Sequence, residues 1–210
     1  VSPSTFDCTD VGANTVTLTV TDVNGNVATC TATVNVQDHV NPTALCMDAT
    51  VQLDASGNGS ITTADIDNGS SDNCGIASLS VSPNTFTCTD VGLNTVTLTV
   101  TDVNGNIATC TATVTVEDNI PPTALCMAAT VQLDASGNIT ATDVDGGSAD
   151  NCGIASLSVS PSNFNCTNVG ANTVTLTVTD VNGNTSMCTA IVTVEDNIPP
   201  TALCMAATVQ

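Results

Sequence analysis

The chain repeats itself, and this repetition limits its possible folds more than any other feature of the sequence. Residues 81–132 restate residues 1–52 at an offset of 80, and residues 159–210 restate residues 81–132 at an offset of 78. A repeat of this period is typical of an array of small domains. We therefore expect the C-terminal part of a repeat at 1–40, complete repeats at 41–120 and 121–198, and the first strand of a further repeat at 199–210.

Residues Asn94–Val116 show the strand pattern most clearly. Hydrophobic residues alternate with threonines on both sides of the turn around Asn104-Gly105. Alternation of period two predicts strands, and Asn-Gly between two such runs predicts a hairpin. No segment has helical periodicity, and shorter strand-like runs occur at 124–133, 139–142, 154–159 and 163–166. The sequence predicts an all-β fold of tandem immunoglobulin-like β-sandwich domains, linked by disulfides and arranged as beads on a string or as a stacked fibre.

Eleven cysteines recur in register without CxxC pairs or neighbouring histidines. This spacing indicates disulfides rather than zinc, and persistent disulfides predict an extracellular or cell-surface location. We predict that pairing occurs within each repeat: Cys8–Cys30, Cys46–Cys74, Cys88–Cys110, Cys126–Cys152 and Cys166–Cys188, with Cys204 bonded to the next repeat. A rival pairing joins Cys30 to Cys46 and Cys74 to Cys88, and the sequence does not decide between the two.

The charge is strongly one-sided. Twenty acidic residues, no lysine, no arginine and one histidine give a net charge of −20. This balance excludes nucleic acid as a partner and salt bridges between side chains. Aspartate and asparagine oxygens are ligands that calcium prefers, so calcium is the predicted cofactor. The competing interpretation is that the acids only keep the surface soluble.

In a sandwich of this type, the end of one repeat should lie beside the long loop and the final hairpin turn of the next. The acids therefore gather at that junction. The residues expected to hold calcium there are Glu117, Asp118, Asn119, Asp143, Asp145, Asp150, Asp180, Asn182 and Asn184, and at the preceding junction Asp38, Asp65, Asp67, Asp72, Asp102, Asn104 and Asn106. The alternative interpretation of Asp-x-Asn-Gly-Asn is a tight turn without a metal.

The string VTDVNGNIATCTATVTVEDNIPPTALC at Val100–Cys126 resembles the hyalin-type (HYR-like) immunoglobulin-like repeats, and the likeness extends over essentially the whole chain. The resemblance implies export and display in very large secreted or surface-anchored bacterial adhesins. It implies a binding or spacer role and brings no catalytic residues with it.

These observations favour two kinds of function, a structural role and an adhesive one. The chain has no lysine and no repeated histidine, and it shows no pairing of a catalytic base with a nucleophile. We therefore expect that it is not an enzyme. The first hypothesis is a structural stalk or fibre of stacked repeats, whose partners are the neighbouring repeats of the same chain. The alternatives are an adhesive module that binds a surface or glycan through its threonine rows, and a subunit that assembles with other copies into a filament. No apolar run in this segment is long enough to span a membrane.

Overall fold

The computed structural model describes residues 1–133 and 138–206. Their contacts divide the chain into two compact units. Unit 1 comprises Val1–Val51 and Gly59–Val116, and unit 2 comprises Gln52–Asn58 and Glu117–Gln210. These units come from spatial contacts, whereas the boundaries at 40, 120 and 198 come from the sequence repeat and stay a prediction.

Unit 1 contains a separate hairpin and a four-stranded sheet. The hairpin joins β1 (Gly12–Thr21) to β2 (Val27–Val36) in antiparallel register. The sheet has the order β3-β8-β7-β5, and its strands are β3 (Ala49–Gln52), β5 (Ile76–Ser82), β7 (Gly92–Asp102) and β8 (Ile107–Glu117). A two-stranded sheet pairs β4 (Asn58–Ser60) with β6 (Thr85–Thr87).

Unit 2 repeats the four-stranded arrangement. Its sheet has the order β10-β11-β12-β9, and the strands are β9 (Ala129–Gln132), β10 (Ile154–Ser160), β11 (Gly170–Asp180) and β12 (Thr185–Glu195). Strand β9 runs parallel to β12, whereas the other neighbours are antiparallel. The hairpin predicted within Asn94–Val116 and its counterpart in unit 2 are therefore the central pairs of the two sheets.

Short helices interrupt the strands at positions where capping residues favour a turn. These are α1 (Thr63–Ile66), α2 (Ala141–Val144) and three-residue 3-10 helices at Cys8–Asp10, Cys88–Asp90 and Cys166–Asn168. The strand predicted at 139–142 is wrong because the Asp143 carboxylate accepts hydrogen bonds from the Thr140 backbone and hydroxyl, which begins a helix. The run at 163–166 forms a single bridge at Asn163 instead of a strand.

The inner face of each sheet forms the core. Val96, Leu98 and Val100 are fully buried, as the alternation predicts. In unit 2 the sheet residues pack in one cluster with side chains from outside the sheet: Leu133, Ile139, Val144 and Phe164. This packing of a sheet against a second layer confirms the predicted all-β, immunoglobulin-like sandwich fold.

Candidate functional site: two acidic clusters

Three aspartates converge in each unit. In each group, one carboxylate oxygen from every member lies within 4.8 Å of the others. These groups are Asp38, Asp72 and Asp102, the first acidic cluster, and Asp118, Asp150 and Asp180, the second acidic cluster. Their members are equivalent through the sequence repeat, so the arrangement occurs twice.

The turn between β11 and β12 fixes Asp180. One carboxylate oxygen, Oδ1, accepts hydrogen bonds from the backbone N–H groups of Asn182 (2.9 Å) and Asn184 (2.8 Å), and Oδ2 accepts from Asn184 Nδ2 at 2.8 Å. Gly183 supplies the positive φ of 95° that the turn requires. The predicted turn chemistry therefore also holds an aspartate that is only 1% exposed.

The other two members of the second acidic cluster come from loops. Asp150 Oδ2 accepts the backbone N–H groups of Cys152 at 2.8 Å and Gly153 at 3.0 Å. Asp118 follows β8, is 5% exposed, and accepts at Oδ1 from the Ile120 backbone N–H at 3.2 Å. Each of these carboxylates thus uses one oxygen to order its own loop.

The remaining oxygens have no donor. Asp118 Oδ2, Asp150 Oδ1 and Asn182 Oδ1 are buried without a hydrogen-bond partner. A buried acceptor without a donor costs about 1–3 kcal/mol, and more if it is charged. Three clustered carboxylates also repel one another. A bound cation relieves both costs, so these residues fit a metal site built from oxygen ligands.

The first acidic cluster has the same chemistry. Its buried oxygens without partners are Asp38 Oδ2, Asp72 Oδ1 and Asn104 Oδ1. Burial raises the pKa of Asp102, but hydrogen bonds from the side chain and backbone of Asn106 and from the Asn104 and Gly105 backbone outweigh it, so the pKa lies below its usual value. The Asp102 carboxylate is therefore charged at neutral pH.

Several predicted ligands lie elsewhere. Asp65 and Asp143 cap α1 and α2, whereas Asp67 and Asp145 accept from the Ser70 and Ser148 backbone N–H groups. Neither pair belongs to the acidic clusters. Their short Asx-type contacts satisfy the carboxylates locally, so these aspartates act as loop and helix caps.

Two more predicted ligands form a side-chain network at the end of β8. Glu117 accepts from Gln52 Nε2 at 2.6 Å, and Asn119 Nδ2 donates to Gln52 Oε1 at 2.8 Å. Asn106 and Asn184 use their amide nitrogens to donate to Asp102 and Asp180. Glu117, Asn119, Asn106 and Asn184 therefore help to position the acidic clusters and the segments next to them.

Asn151 was not among the residues predicted from the sequence. Its Nδ2 donates to Asp118 Oδ1 and to the Asp54 backbone carbonyl, both at 3.2 Å. The signal in the sequence was the repeated Asp-Asn-Cys-Gly string that follows Ser71 and Ala149. It marks a loop in which the aspartate joins the cluster and the asparagine contacts its neighbours.

The predicted disulfide pairs are wrong. The structure bonds Cys46 to Cys110 and Cys126 to Cys188, within the two complete repeats, and Cys8 to Cys74, between successive repeats. These bonds contradict the five predicted pairs: Cys8–Cys30, Cys46–Cys74, Cys88–Cys110, Cys126–Cys152 and Cys166–Cys188. They contradict the rival pairing as well. Cys88 and Cys152, which are equivalent to Cys8 and Cys74, are also disulfide-bonded.

The strand register explains the error. Gly12 pairs with Val36, whereas Cys30 lies opposite Leu18, six positions farther along β2. At about 3.3 Å per residue, this separates Cys30 by roughly 20 Å from the end of the hairpin that Cys8 precedes. The observed bonds span sequence separations of 62 to 66 residues. In the chain-entropy model, a loop of this size contributes about 4 kcal/mol.

Among the described residues, no helix has the length and apolar character needed to cross a membrane. No protein-family model matches the sequence, and no curated protein matches it.

Several solved structures share a general likeness. Mouse clustered protocadherin PcdhgC3 EC1-3 has 17% identity and a TM-score of 0.34, covering 88% of this chain and 77% of that chain. Protocadherin gamma C5 EC1-3 has 12% identity and a TM-score of 0.38, covering 89% and 78%. A three-domain titin fragment has 11% identity and a TM-score of 0.40, covering 87% and 75%. The sandwich fold is evident from the chain's own strand order and core.

Proposed function

We propose that this chain is the structural repeat region of an extracellular or cell-surface fibre or adhesin stalk, and that calcium binds at each acidic cluster. The observation that carries the proposal is the presence of buried oxygens without hydrogen-bond donors among clustered carboxylates. In both clusters, two aspartate oxygens and one asparagine oxygen are buried without a donor. A cation bound among these oxygens would supply the missing partner in both clusters.

The donor set favours calcium. Calcium takes six to eight oxygen ligands, and extracellular modules bind it with dissociation constants of about 10⁻⁴–10⁻³ M. In the second acidic cluster, Asp118, Asp150, Asp180 and Asn182 would supply protein oxygens, and water would supply the rest. Magnesium prefers to keep several water ligands in a strict octahedral shell. A cage of several protein oxygens therefore suits magnesium less well than calcium.

The ion would act as a brace between repeats. Asp118 directly follows the last strand of one repeat, whereas Asp150 and Asp180 belong to the next. An ion held by all three restrains the segment that joins the two repeats. The Cys8–Cys74 disulfide also connects successive repeats, so covalent and ionic links would act together. Such links suit a stalk that bears mechanical load.

Location and partners follow from the same features. Disulfides persist in oxidising compartments, which supports an extracellular or surface location. The threonine rows pair across β7 and β8, as in Thr97 with Thr111 and Thr99 with Thr109. Because of these rows, adhesion to a glycan or a surface is the alternative role. The proposal includes the assignment of the repeats as HYR-like.

The test is a calcium titration of the purified chain by calorimetry, with thermal unfolding in calcium and in chelator. We expect two ions per chain. At 100 times Kd, each site adds about 2.7 kcal/mol to the stability of its unit, which raises the Tm of a unit of this size by roughly 10–20 °C.

Sodium chloride at matched ionic strength is the control for simple screening of the net charge. The matched variant is Asp196→Asn, because Asp196 is exposed, repeats the position of Asp118 and belongs to neither cluster. It should bind two ions like the native chain. A calcium response equal to that of sodium chloride, or the absence of stoichiometric binding, would show that the clusters are not calcium sites.

A further inference from the structure

The disulfide between Cys8 and Cys74 fixes the loop that carries one member of the first acidic cluster. Asp72 Oδ2 accepts the backbone N–H groups of Cys74 at 2.8 Å and Gly75 at 3.1 Å. The other oxygen of the same carboxylate, Oδ1, is buried and has no donor. The backbone position of Cys74 therefore sets the direction in which Asp72 Oδ1 points.

The same loop contacts the turn that holds Asp102. The Gly75 carbonyl accepts the Val103 backbone N–H at 3.1 Å. Asp102 Oδ1 accepts the backbone N–H groups of Asn104 and Asn106, both at 2.8 Å. The loop and the turn are thus joined through their backbones, so a shift of the loop displaces a second member of the cluster.

Both sulfurs of the disulfide contact the residue between Asp72 and Cys74. Cys8 Sγ lies 3.4 Å from the Asn73 carbonyl oxygen, and the Asn73 amide donates to Cys74 Sγ at 3.1 Å. Sulfur is a weak hydrogen-bond partner, so the covalent bond restrains the loop more than these contacts do. Reduction would release the loop from the 3-10 helix at Cys8–Asp10.

The third member, Asp38, belongs to the chain segment that follows β2. The Asn106 amide donates to the backbone carbonyls of Asp38 at 3.2 Å and Val40 at 3.3 Å. The disulfide adds a covalent link across this segment, because Cys8 precedes it and Cys74 follows it. All three aspartates therefore lie in parts of the chain that the disulfide restrains.

We propose that the Cys8–Cys74 disulfide and cation binding at the first acidic cluster are coupled: calcium binds more tightly when the disulfide is formed, and the disulfide is harder to reduce when calcium is bound. This inference rests on the proposed calcium site. A loop that the disulfide already holds loses less conformational freedom when the ion binds. Coupling at equilibrium is reciprocal, so the calcium affinity and the reduction equilibrium should change by the same factor.

Reduced glutathione is a suitable reductant for the disulfide. A glutathione thiolate attacks the Cys8 sulfur, which forms a mixed disulfide and releases Cys74 as a thiolate that takes up a proton. A second glutathione thiolate attacks the glutathione sulfur of the mixed disulfide and releases Cys8, which is protonated in turn. Two glutathione molecules are oxidised to one glutathione disulfide, and one protein disulfide is reduced to two thiols.

The first experiment measures calcium binding by calorimetry at one cluster at a time. Asp150→Asn removes the second site, so a chain with this change reports only the first. Adding Cys8→Ser and Cys74→Ser to that chain should raise the Kd for calcium by about 10-fold, a common size for coupling between sites. The matched control carries Asp72→Asn instead, which leaves only the second acidic cluster. There the same cysteine changes should leave Kd unaltered.

The second experiment uses the native chain, so its result does not depend on whether the cysteine variant folds. The chain is equilibrated in glutathione buffers of increasing reducing strength, with saturating calcium or with chelator and sodium chloride at matched ionic strength. Free thiols are then alkylated. Cleavage after phenylalanine and leucine places Cys8 in residues 7–18 and Cys74 in residues 54–79, each with one cysteine. Mass spectrometry should find that calcium makes half reduction require a buffer about 10-fold more reducing.

The Cys46–Cys110 disulfide of the same unit is the control for this measurement. Cys110 lies opposite Leu98 in the middle of the sheet, and Cys46 forms a bridge with Asp67, which belongs to neither acidic cluster. Calcium should therefore shift the reduction of this disulfide by a smaller factor than that of Cys8–Cys74.

The results separate the coupling from the calcium site itself. Calcium binding with the same Kd with and without the disulfide, or a half-reduction point that calcium does not move, would overturn the coupling and leave the proposed function standing. An equal shift for Cys46–Cys110 would show that calcium stabilises the whole unit, and it would also overturn the coupling. A native chain that bound no calcium would overturn the proposed function and the coupling together.

Discussion

The two acidic clusters contain the same three aspartates but differ in how deeply the first of them is buried. Asp118 is 5% exposed, whereas its equivalent Asp38 is half-buried. Asn151 links Asp118 to the Asp54 carbonyl, whereas the amide of the equivalent Asn73 lies 3.1 Å from Cys74 Sγ.

This difference shows that a cluster depends on more than its own ligands. A loop of the preceding repeat, through Asn151, helps to enclose the second acidic cluster. Charges that are less exposed to water interact more strongly, so the second cluster should bind a cation more tightly than the first. Substitutions at equivalent positions can test this ranking directly.

The largest effect is expected from Asp150→Asn. In the native chain, Asp150 Oδ1 is buried without a donor; in the variant, an amide nitrogen in its place can donate to Asp118 Oδ2. Stability in chelator should therefore rise by about 1–3 kcal/mol. In calcium the variant should lose one of two bound ions and become less stable than the native chain. Calorimetric titration and thermal unfolding in both conditions measure this reversal.

Asp72→Asn is the matched change in the first acidic cluster. Asp72 accepts the Cys74 and Gly75 backbone N–H groups just as Asp150 accepts those of Cys152 and Gly153. Stability should again rise in chelator and fall below that of the native chain in calcium. Both changes should be smaller than for Asp150→Asn because Asp38 is more exposed. Equal changes in the two clusters would contradict the ranking, and an unaltered ion count in either variant would contradict the site.

A smaller effect is expected from Asn151→Ala. The change removes the amide that donates to Asp118 and to the Asp54 carbonyl. A hydrogen bond to a charged group contributes about 1.5–3 kcal/mol, so calcium affinity at the second acidic cluster should fall by roughly 10-fold or more. Isothermal titration would then find the two sites closer in affinity.

Asn73→Ala is the control at the equivalent position. The Asn73 amide lies 3.1 Å from Cys74 Sγ, which is a weak acceptor. Its removal should change calcium affinity at the first acidic cluster by less than about threefold. If both alanine variants weakened binding equally, enclosure by the preceding loop would not be the cause of the difference.

The sequence predicted the elements whose signal is local. Alternation at Val96, Leu98 and Val100 predicted a strand with a buried face, and Asp102-x-Asn-Gly-Asn predicted the turn that fixes an aspartate. The convergence of Asp118, Asp150 and Asp180 also followed, because sandwich topology fixes which loops lie at the same end. These predictions needed only periodicity, turn chemistry and strand order.

The disulfides could not be predicted in this way. Pairing depends on which strands are neighbours and on their register, and a local sequence contains neither. The predicted pair joined Cys8 to Cys30, whereas the register carries Cys30 to the far end of its hairpin. The capping role of Asp65 and Asp143 could not be predicted for a related reason, because in sequence an aspartate that caps a helix looks the same as one that joins an acidic cluster.

The smallest effect is expected at those caps, where the two repeats should behave alike. Hydrogen bonds from the Thr140 backbone and hydroxyl lower the pKa of Asp143, and the Thr62 groups lower the pKa of Asp65 in the same way. Because the folded-state pKa is depressed, the stabilisation is complete above the ordinary pKa near 3.8 and is lost as the pH falls through the lower folded value.

Asp143→Ala should therefore cost about 0.5 kcal/mol at pH 7, at the low end for a helix cap because water screens the exposed carboxylate. The cost should shrink as the pH falls below 3.8, since the native carboxylate is then progressively protonated. Asp65→Ala should follow the same course, with no change in the number of bound calcium ions. Urea unfolding of both variants from pH 7 to pH 2.5 measures this. A cost that stayed constant over that range would show that the carboxylate charge is not what the caps contribute, and a difference between the two variants would extend the asymmetry of the acidic clusters to positions outside them.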